Sequence, residues 1–221
     1  MTDAPTSRRD QAVARSLDSA RTRAETRVQR FLDAAFELMA DGDSPDFTVQ
    51  EVVERSGQSL RSFYQYFGGK HELLLALMEE SVRSTAAHLE AAVAEVDGTG
   101  ERLHRFVVEY HRMCRPVGTR SSSGTAGPVM VEFAQQLLTS HPADAARVFS
   151  PLVALFERLL DEAGTAGVLR SGIDHRSVAG TVLEVVMFNA FAATIGGAPL
   201  KDDAAAAEEL WDLVFHGIGA G

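Results

Sequence analysis

The segment from Thr48 to Lys70 constrains the fold more than any other part of the chain. It reads TVQEVVERSGQSLRSFYQYFGGK, and its second half holds four large rings within twelve residues. Thr48 and Glu51 have the spacing of a capping box, and Gly57 can end the helix that this box begins. Ser59 is a suitable cap for the next helix. Two short helices joined by a tight glycine-containing turn predict a helix-turn-helix.

The stretch before this segment predicts one further helix. Its apolar residues recur at i, i+3, i+4, i+7, i+8 and i+11, and the pattern stops near the turn-forming DGDSPD. These residues are Val28, Phe31, Leu32, Ala35, Phe36 and Met39. The third helix is expected to end near Gln65, with Phe63 and Phe67 inward, and Lys70 opens a long fourth helix. The predicted fold is all-α, with a three-helix DNA-binding domain followed by a larger helical domain.

The outward side chains of the third helix are the candidates for DNA contact, because this helix of the motif enters the major groove. Arg61 can pair with O6 and N7 of a guanine, which contributes about 1 to 3 kcal/mol of discrimination. Tyr64, Tyr66 and Lys70 suit phosphate groups. Phe63 and Phe67 are expected in the core, and a core position remains the alternative for Tyr66.

The stretch TVQEVVERSGQSLRSFYQYFGGKHELL resembles the DNA-binding signature of the TetR (tetracycline-repressor) family. The family pattern has a glycine, a small polar cap two residues later, then Tyr-x-Tyr/His-Phe and a lysine, and Ser59 occupies the cap position. The resemblance implies phosphate contacts at Thr48, Tyr64, Tyr66 and Lys70, and base contacts at Gln50, Leu60, Arg61 and Ser62. Two positions differ from the pattern. Gln58 replaces an aliphatic residue of the turn, and Arg61 replaces a small residue, which suggests an unusual operator.

Charge divides the chain. The net charge is -10, yet arginines outnumber acids between Met1 and Phe31. We therefore expect a flexible basic arm over residues 1–21 that can reach DNA phosphates, a helix-turn-helix domain over 22–69, and an effector-binding and dimerisation domain over 70–221. Cys114 is the single cysteine and the N-terminal residues lack a signal-peptide pattern, so we expect a cytoplasmic protein.

The C-terminal third predicts a subunit interface. Val178 to Ile195 is apolar on nearly every side and must be buried. A membrane span is the alternative, but Glu184 near its middle makes insertion poor. The segment FERLLDEAGTAGVLRSGID is similar to a helix end that, in many TetR-family members, precedes two subunit-pairing helices. We expect a homodimer formed by Val178 to Ile195 and by the last helix, Asp203 to Phe215.

Aromatic and methionine side chains between these regions are candidates for an effector pocket, because Met and aromatic groups are typical of apolar pockets. The same residues could instead fill the core, and sequence alone does not separate the two. The family resemblance implies a small-molecule effector, which the apolar candidates predict to be lipid-like, steroid-like or aromatic. The chosen ligand-binding candidates are Phe106, Tyr110, Met113, Phe133, Phe156, Met187, Asn189 and Phe191.

Catalytic and metal-binding alternatives have weaker support. His104, His111 and Cys114 could share one helix face as zinc ligands, but hydrogen-bonded histidines are far commoner than metal sites. No nucleophile elbow, phosphate loop or zinc-protease motif occurs in the sequence. We expect no cofactor and no metal. The predicted function is a ligand-responsive transcriptional repressor, and the alternatives are a helical interaction protein without an effector or a small helical enzyme.

Overall fold

The computed structural model describes residues 7–41, 47–114, 128–195 and 203–218, and every regular element within these ranges is an α-helix. The prediction of an all-α fold is confirmed. Contacts divide the chain into two compact units, Met1–Ala76 and Leu77–Gly221, whereas the sequence suggested a division after residue 69. The helices are α1 Arg8–Asp41, α2 Val49–Ser56, α3 Leu60–Tyr66, α4 Lys70–Ala94, α5 Thr99–Cys114, α6 Pro128–Ser140, α7 Pro142–Thr165, α8 His175–Ile195 and α9 Asp203–Ile218.

Local capping fixes the ends of α2 and α3. The Thr48 hydroxyl accepts a hydrogen bond from the Glu51 amide, and the Glu51 carboxylate accepts one from the Thr48 amide at 2.6 Å. Gly57 ends α2 in the left-handed conformation with φ of 65°, and the Ser59 hydroxyl accepts from the Ser62 amide at 3.1 Å to begin α3. The predicted caps are therefore confirmed. Such caps matter because helices this short are marginal without them.

Three aromatic rings form the centre of the first unit. Phe31 of α1 meets Phe63 and Phe67 edge to face, with ring centroids 5.4 and 6.2 Å apart. Edge-to-face pairs contribute about 0.5 to 1.5 kcal/mol each beyond the burial of their surface. The rings join α3 to α1, while Val52 and Val53 bury the apolar face of α2. Phe63 and Phe67, predicted to point inward, are buried, whereas Phe36 of the predicted apolar stripe of α1 keeps 40% of its surface exposed.

The N-terminal segment differs from the expected flexible arm, because α1 begins at Arg8 and continues without interruption to Asp41. Its sequence contains no glycine or proline, and exposed i, i+4 pairs such as Arg21–Glu25 at 2.7 Å support it. Val13 and Leu17 are exposed on its surface. The basic residues from Arg8 onward are thus presented by a helix.

The second unit is organised around α5, which packs against α7, α8 and α9. Phe106 of α5 stacks on Phe156 of α7, with ring centroids 4.4 Å apart and planes only 6° from parallel. An ion pair at 2.6 Å joins Arg102 to Glu162 at the same helix contact. At the other side, the imidazole of His104 lies 2.8 Å from the Glu208 carboxylate of α9. Helix α5 is therefore fixed from several directions.

One face of α8 is buried in the second unit and another is exposed in the isolated chain, so its burial on nearly every side stays a prediction that requires a second subunit. Ala179, Val182, Leu183, Val186 and Met187 belong to the core of the second unit. Val185 and Phe188 keep 43% and 42% of their surface exposed in the isolated chain. Leu213 of α9 is 71% exposed. Within the described residues, no helix is long and apolar enough to cross a membrane.

Candidate nucleic-acid interface and internal cavity

Helix α3 presents one buried side and one side that faces solvent. Phe63 anchors it in the core with no exposed surface. Leu60, Arg61 and Tyr64 are exposed, and Tyr64 keeps 57% of its surface accessible. The Phe63 ring meets the Tyr64 ring edge to face at 5.4 Å, which restricts the tyrosine. The predicted base-reading residues Leu60 and Arg61 therefore lie on an anchored, outward surface.

The predicted phosphate contacts surround this surface on neighbouring elements. Thr48 is exposed at the N-terminus of α2, and its hydroxyl already takes part in the capping box. The Lys70 ammonium lies 4.5 Å from the centroid of the Phe47 ring, so a cation–π contact holds it at the start of α4. Tyr66 is half-buried, and this burial is compatible both with its predicted phosphate contact and with the alternative core position. Phosphate contact by these residues stays a prediction.

Two predicted base-reading positions have other partners or orientations. The Ser62 hydroxyl is buried and has no hydrogen-bond partner among the described residues, so it does not face outward. Geometry therefore gives no support to direct base contact by this hydroxyl. The Gln50 amide donates to Glu54 at 2.9 Å on the exposed face of α2. A base contact by Gln50 would have to replace that hydrogen bond.

Gln58 shows how the turn between α2 and α3 is held without an aliphatic residue. Its side-chain amide donates a hydrogen bond of 2.8 Å to the main-chain oxygen of Arg27 in α1. The Gln58 main-chain amide also donates to the Val53 oxygen at 3.2 Å. The turn is therefore hydrogen-bonded to both preceding helices, and the N-terminus of α3 lies beside the middle of α1.

The second unit contains a cavity of about 280 Å³ and a smaller one of about 70 Å³. Both share Tyr110, Phe149, Leu152 and Met187, so we describe them together as the α5–α7–α8 cavity. The larger part is lined by side chains that are almost entirely apolar. They are Tyr110, Leu138, Pro142, Ala145, Ala146, Phe149, Leu152, Val153, Gly180, Leu183, Glu184 and Met187.

The smaller part of the cavity is lined by side chains from α4, α5, α6, α7 and α8. Four of its lining side chains are methionines, which are flexible enough to adapt to a ligand. The lining residues are Met78, Ser81, Val82, Tyr110, Met113, Cys114, Met130, Ala134, Phe149, Leu152 and Met187. Helix α4 thus supplies part of the cavity wall.

The ligand-binding candidates lie in different places in the structure. Tyr110, Met113 and Met187 line the cavity as predicted candidates. Phe106, Phe133 and Phe156 are buried core residues that line neither part, because stacking and helix packing occupy their surfaces. Asn189 is exposed and lines neither part. The side chain of Phe191 lies outside the described residues.

Small residues are the lining groups that the sequence reasoning missed. Ala145, Ala146 and Gly180 line the larger part, and a methyl group at Gly180 would meet no atom within 4 Å. Small residues help to form a cavity because their short side chains leave space unfilled. A choice of aromatic and methionine residues therefore does not include them. The signal available in the sequence was the adjacent alanines of α7 and the glycine within an otherwise apolar α8.

Tyr110 and Cys114 are uncharged polar groups of the cavity wall. Burial raises the pKa of Tyr110 well above its usual value, and the neighbouring Cys114 raises it further. Burial also raises the pKa of Cys114 to about 12, partly offset by its hydrogen bond with Tyr110. Of the three zinc candidates, Cys114 is hydrogen-bonded to Tyr110. His104 contacts Glu208 and the Trp211 ring of α9 instead.

Comparison with known sequences gives a family match that runs from the last part of α1 into the first part of α4. Residues 31–77 match the family described as bacterial regulatory proteins, tetR family. The HTH-type transcriptional regulator BetI of Brucella suis biovar 1 is 32% identical over 81 residues, which cover 37% of this chain and 41% of that protein. The chain thus spans about two fifths of the length of the curated relatives it matches.

Comparison with solved structures extends the likeness in fold to most of the chain. A TetR-family transcriptional regulator from Pectobacterium atrosepticum superposes with a TM-score of 0.71 at 18% identity, covering 91% of this chain and 98% of that one. The regulator FadR from Bacillus subtilis, solved in complex with stearoyl-CoA, gives 0.66 at 16% identity and covers 86% and 98%. At these identities the likeness concerns the fold alone.

Proposed function

Because the chain belongs to the tetR family of bacterial regulatory proteins, we propose that it binds operator DNA as a homodimer and is released by a small molecule. The observation that carries this proposal is the capped and anchored α3, whose exposed side presents Arg61 beside Leu60 and Tyr64. The family consists of regulators rather than enzymes. A repressor that blocks transcription while bound is the form of regulation we propose.

The roles of the DNA-binding residues follow from their chemistry. Arg61 reads a guanine through its guanidinium, and Leu60 contributes an apolar contact in the same groove. Thr48, Tyr64, Tyr66 and Lys70 contact phosphates and fix the position of α3 on the duplex. Ser59 acts through its cap, which sets where α3 begins.

The basic side of α1 extends this surface. Arg23, Arg27 and Arg30 are spaced four and three residues apart and fall on one side of the helix, whereas the Arg21–Glu25 pair lies on the other. Because the Gln58 side chain donates a hydrogen bond to the main-chain oxygen of Arg27, this part of α1 lies next to the turn that precedes α3. We propose that they contact phosphates that flank the bases read by α3. The expected basic arm then acts as a helix over its described part.

A dimer is proposed because one recognition helix reads few base pairs. Two-fold related helix-turn-helix motifs contact half-sites about 34 to 36 Å apart, or a multiple of that distance. The exposed apolar residues Val185 and Phe188 of α8 and Leu213 of α9 are the surface that a second copy would cover. The effector would act by favouring a dimer with unsuitable half-site spacing.

The effector is proposed to occupy the α5–α7–α8 cavity. The B. subtilis FadR structure contains stearoyl-CoA, so a protein of this fold accommodates a ligand with a long apolar part. In this chain, α4 contributes Met78 and Val82 to the cavity, and the same helix begins at Lys70. A ligand that shifts α4 would therefore change the presentation of the DNA-binding surface. Linkage then requires DNA to weaken ligand binding by the same factor, typically about 5- to 150-fold.

Operator selection tests the proposed function directly. Purified protein is incubated with random duplexes, and the bound fraction is sequenced over several rounds. We expect an inverted repeat whose half-sites have a fixed spacing. Enrichment of no sequence would contradict the proposal and favour the alternative of a helical interaction protein.

The salt dependence of binding to the selected operator tests whether Lys70 contacts a phosphate. Lys70→Ala should weaken binding to all sequences alike and lower the slope of log K against log salt by about 1, because one phosphate contact is lost. Arg83→Ala, on the exposed part of α4 within the second unit, is the control and should leave the slope unchanged. An unchanged slope for Lys70→Ala would remove this lysine from the phosphate contacts.

A further inference from the structure

Among the described residues that line the α5–α7–α8 cavity, one side chain is acidic and none is basic. Glu184 lines its larger part, and none of the described residues lining either part is lysine, arginine or histidine. Tyr110 and Cys114, the other titratable groups in the wall, remain neutral near pH 7 because burial raises the pKa of each. The described part of the wall therefore presents one carboxyl group to an otherwise apolar space.

Glu184 is available to a ligand. It forms no ion pair or hydrogen bond with the residues that the structure describes, and it is exposed, so its carboxylate lies at the mouth of the cavity. One turn earlier on α8, Gly180 leaves open space beside it. Deeper in the same part lie Tyr110, Phe149 and Met187. The arrangement is a carboxylate at the opening and aromatic and thioether groups inside.

We propose that the effector is a monocation with an apolar body, such as a lipophilic amine or quaternary ammonium. Its cation pairs with Glu184, and its hydrocarbon or aromatic part fills the space beside Tyr110, Phe149 and Met187. Tyrosine and phenylalanine rings also attract cations through their π faces. This inference rests on the proposed function and specifies the ligand class for the same cavity.

The same wall disfavours an anionic ligand. A carboxylate or phosphate placed beside Glu184 meets a like charge and finds no lysine or arginine among the described lining residues. The volume is also modest, because about 280 Å³ lies near the lower end of the roughly 300 to 1,000 Å³ usual for ligand pockets. A small amphiphilic cation satisfies both conditions, whereas an acyl-CoA satisfies neither.

Three probes with the same apolar body and different head groups test the charge preference. They are 4-phenylbutylamine, 4-phenylbutan-1-ol and 4-phenylbutyrate, each titrated into the full chain at pH 7 by isothermal calorimetry. The amine should bind about fivefold more tightly than the alcohol, as expected for a partly exposed ion pair, and the carboxylate should bind most weakly. Glu184→Gln should abolish the preference of the amine over the alcohol.

Glu132→Gln is the matched control, because Glu132 is exposed on α6 and lines neither part of the cavity. It should leave the order and ratios unchanged. Thermal melts of both variants check that the fold is retained. Equal affinity of amine and carboxylate, an unchanged ratio in Glu184→Gln, or binding of none of the three probes would overturn the proposal.

Operator binding of the same samples separates this inference from the proposed function. A protein that binds its operator but shows no preference for the amine retains the proposed DNA-binding function and loses the cationic effector. A protein that prefers the amine but binds no operator keeps the cationic site and loses the regulatory function. Release of operator by the amine, absent in Glu184→Gln, supports both.

Discussion

The two compact units use their cores in opposite ways. In the first, the rings of Phe31, Phe63 and Phe67 fill the interior, and the side chains suited to binding project outward from α3. In the second, Tyr110 and Met187 face an internal space, and the binding surface is the interior itself. A large polymer needs a surface held in fixed geometry, whereas a small molecule needs space that protein atoms leave unfilled.

This difference has an energetic counterpart. Side chains that border a void lose the dispersion contacts that a neighbour would have provided, so the second unit gives up stability that a ligand can restore. A ligand at 100 times its dissociation constant stabilises the folded state by about 2.7 kcal/mol. In the first unit the central rings contact one another, so they border no comparable space.

Truncation of one ring in each unit tests this comparison with the largest expected effect. Phe31→Ala should cost about 3 to 5 kcal/mol, because it empties the centre of a filled core. Phe149→Ala, at the half-buried cavity wall, should cost less than about 2 kcal/mol, since it enlarges a space that already exists. Denaturant unfolding with a probe in each unit measures both. Equal costs would make Phe149 a packed core residue rather than a lining residue.

Charged substitutions on the exposed face of α8 test whether this helix forms the proposed interface between two copies of the chain. Val185→Glu with Phe188→Glu should raise the dimer dissociation constant at least about 100-fold, because unpaired charges would be buried in the interface. Analytical ultracentrifugation over a concentration series measures the change. Thr181→Glu, on the same exposed face, should raise the dimer dissociation constant by a smaller factor. Glu157→Gln on α7 is the control and should leave the dissociation constant unchanged. A monomeric starting protein would contradict the proposed interface.

Neighbouring residues on α3 sharpen the distinction between outward and inward groups. Arg61→Ala should relax preference at one base pair per half-site at a cost of about 1 to 3 kcal/mol. Ser62→Ala should leave base preference unchanged, because it removes a buried hydroxyl without a partner among the described residues. Random-site selection on both variants gives the comparison. A uniform loss at every position would make Arg61 a phosphate contact.

The smallest expected effect concerns the basic side of α1. Arg27→Ala should lower the slope of log K against log salt by about 0.9, an affinity change of about fivefold at physiological ionic strength. Arg21→Ala is the control, because Arg21 pairs with Glu25 on the other side of the helix. If both variants change the slope equally, charge alone determines the effect and the basic side makes no defined contact.

How far the sequence predicts each unit depends on how local its determinants are. The caps at Thr48, Gly57 and Ser59 are decided by residues three or four positions away, so they could be read directly and the structure confirms them. Inward positions at Phe63 and Phe67 follow from helical spacing in the same way. The hydroxyl of Ser62 could not be oriented from spacing, because its environment is set by other helices.

The cavity depends on residues that are distant in sequence. Tyr110, Phe149 and Gly180 meet only because α5, α7 and α8 pack together, and sequence periodicity indicates which side is apolar without showing where packing is incomplete. Phe106 and Phe156 illustrate the difficulty, since their stacking turns two ligand candidates into core. The helical start at Arg8 was missed for another reason, because an exposed helix lacks the burial pattern that identifies its continuation.

The hydrogen bond from Gln58 to Arg27 has a consequence for how this protein can evolve. The acceptor is a main-chain oxygen, which every amino acid supplies, so no substitution at position 27 removes the group that holds the turn. The side chain at this position can therefore vary while α3 keeps its place. Under the proposed phosphate contact of Arg27, operator affinity can be tuned at position 27 by single mutations that leave the helix-turn-helix in place.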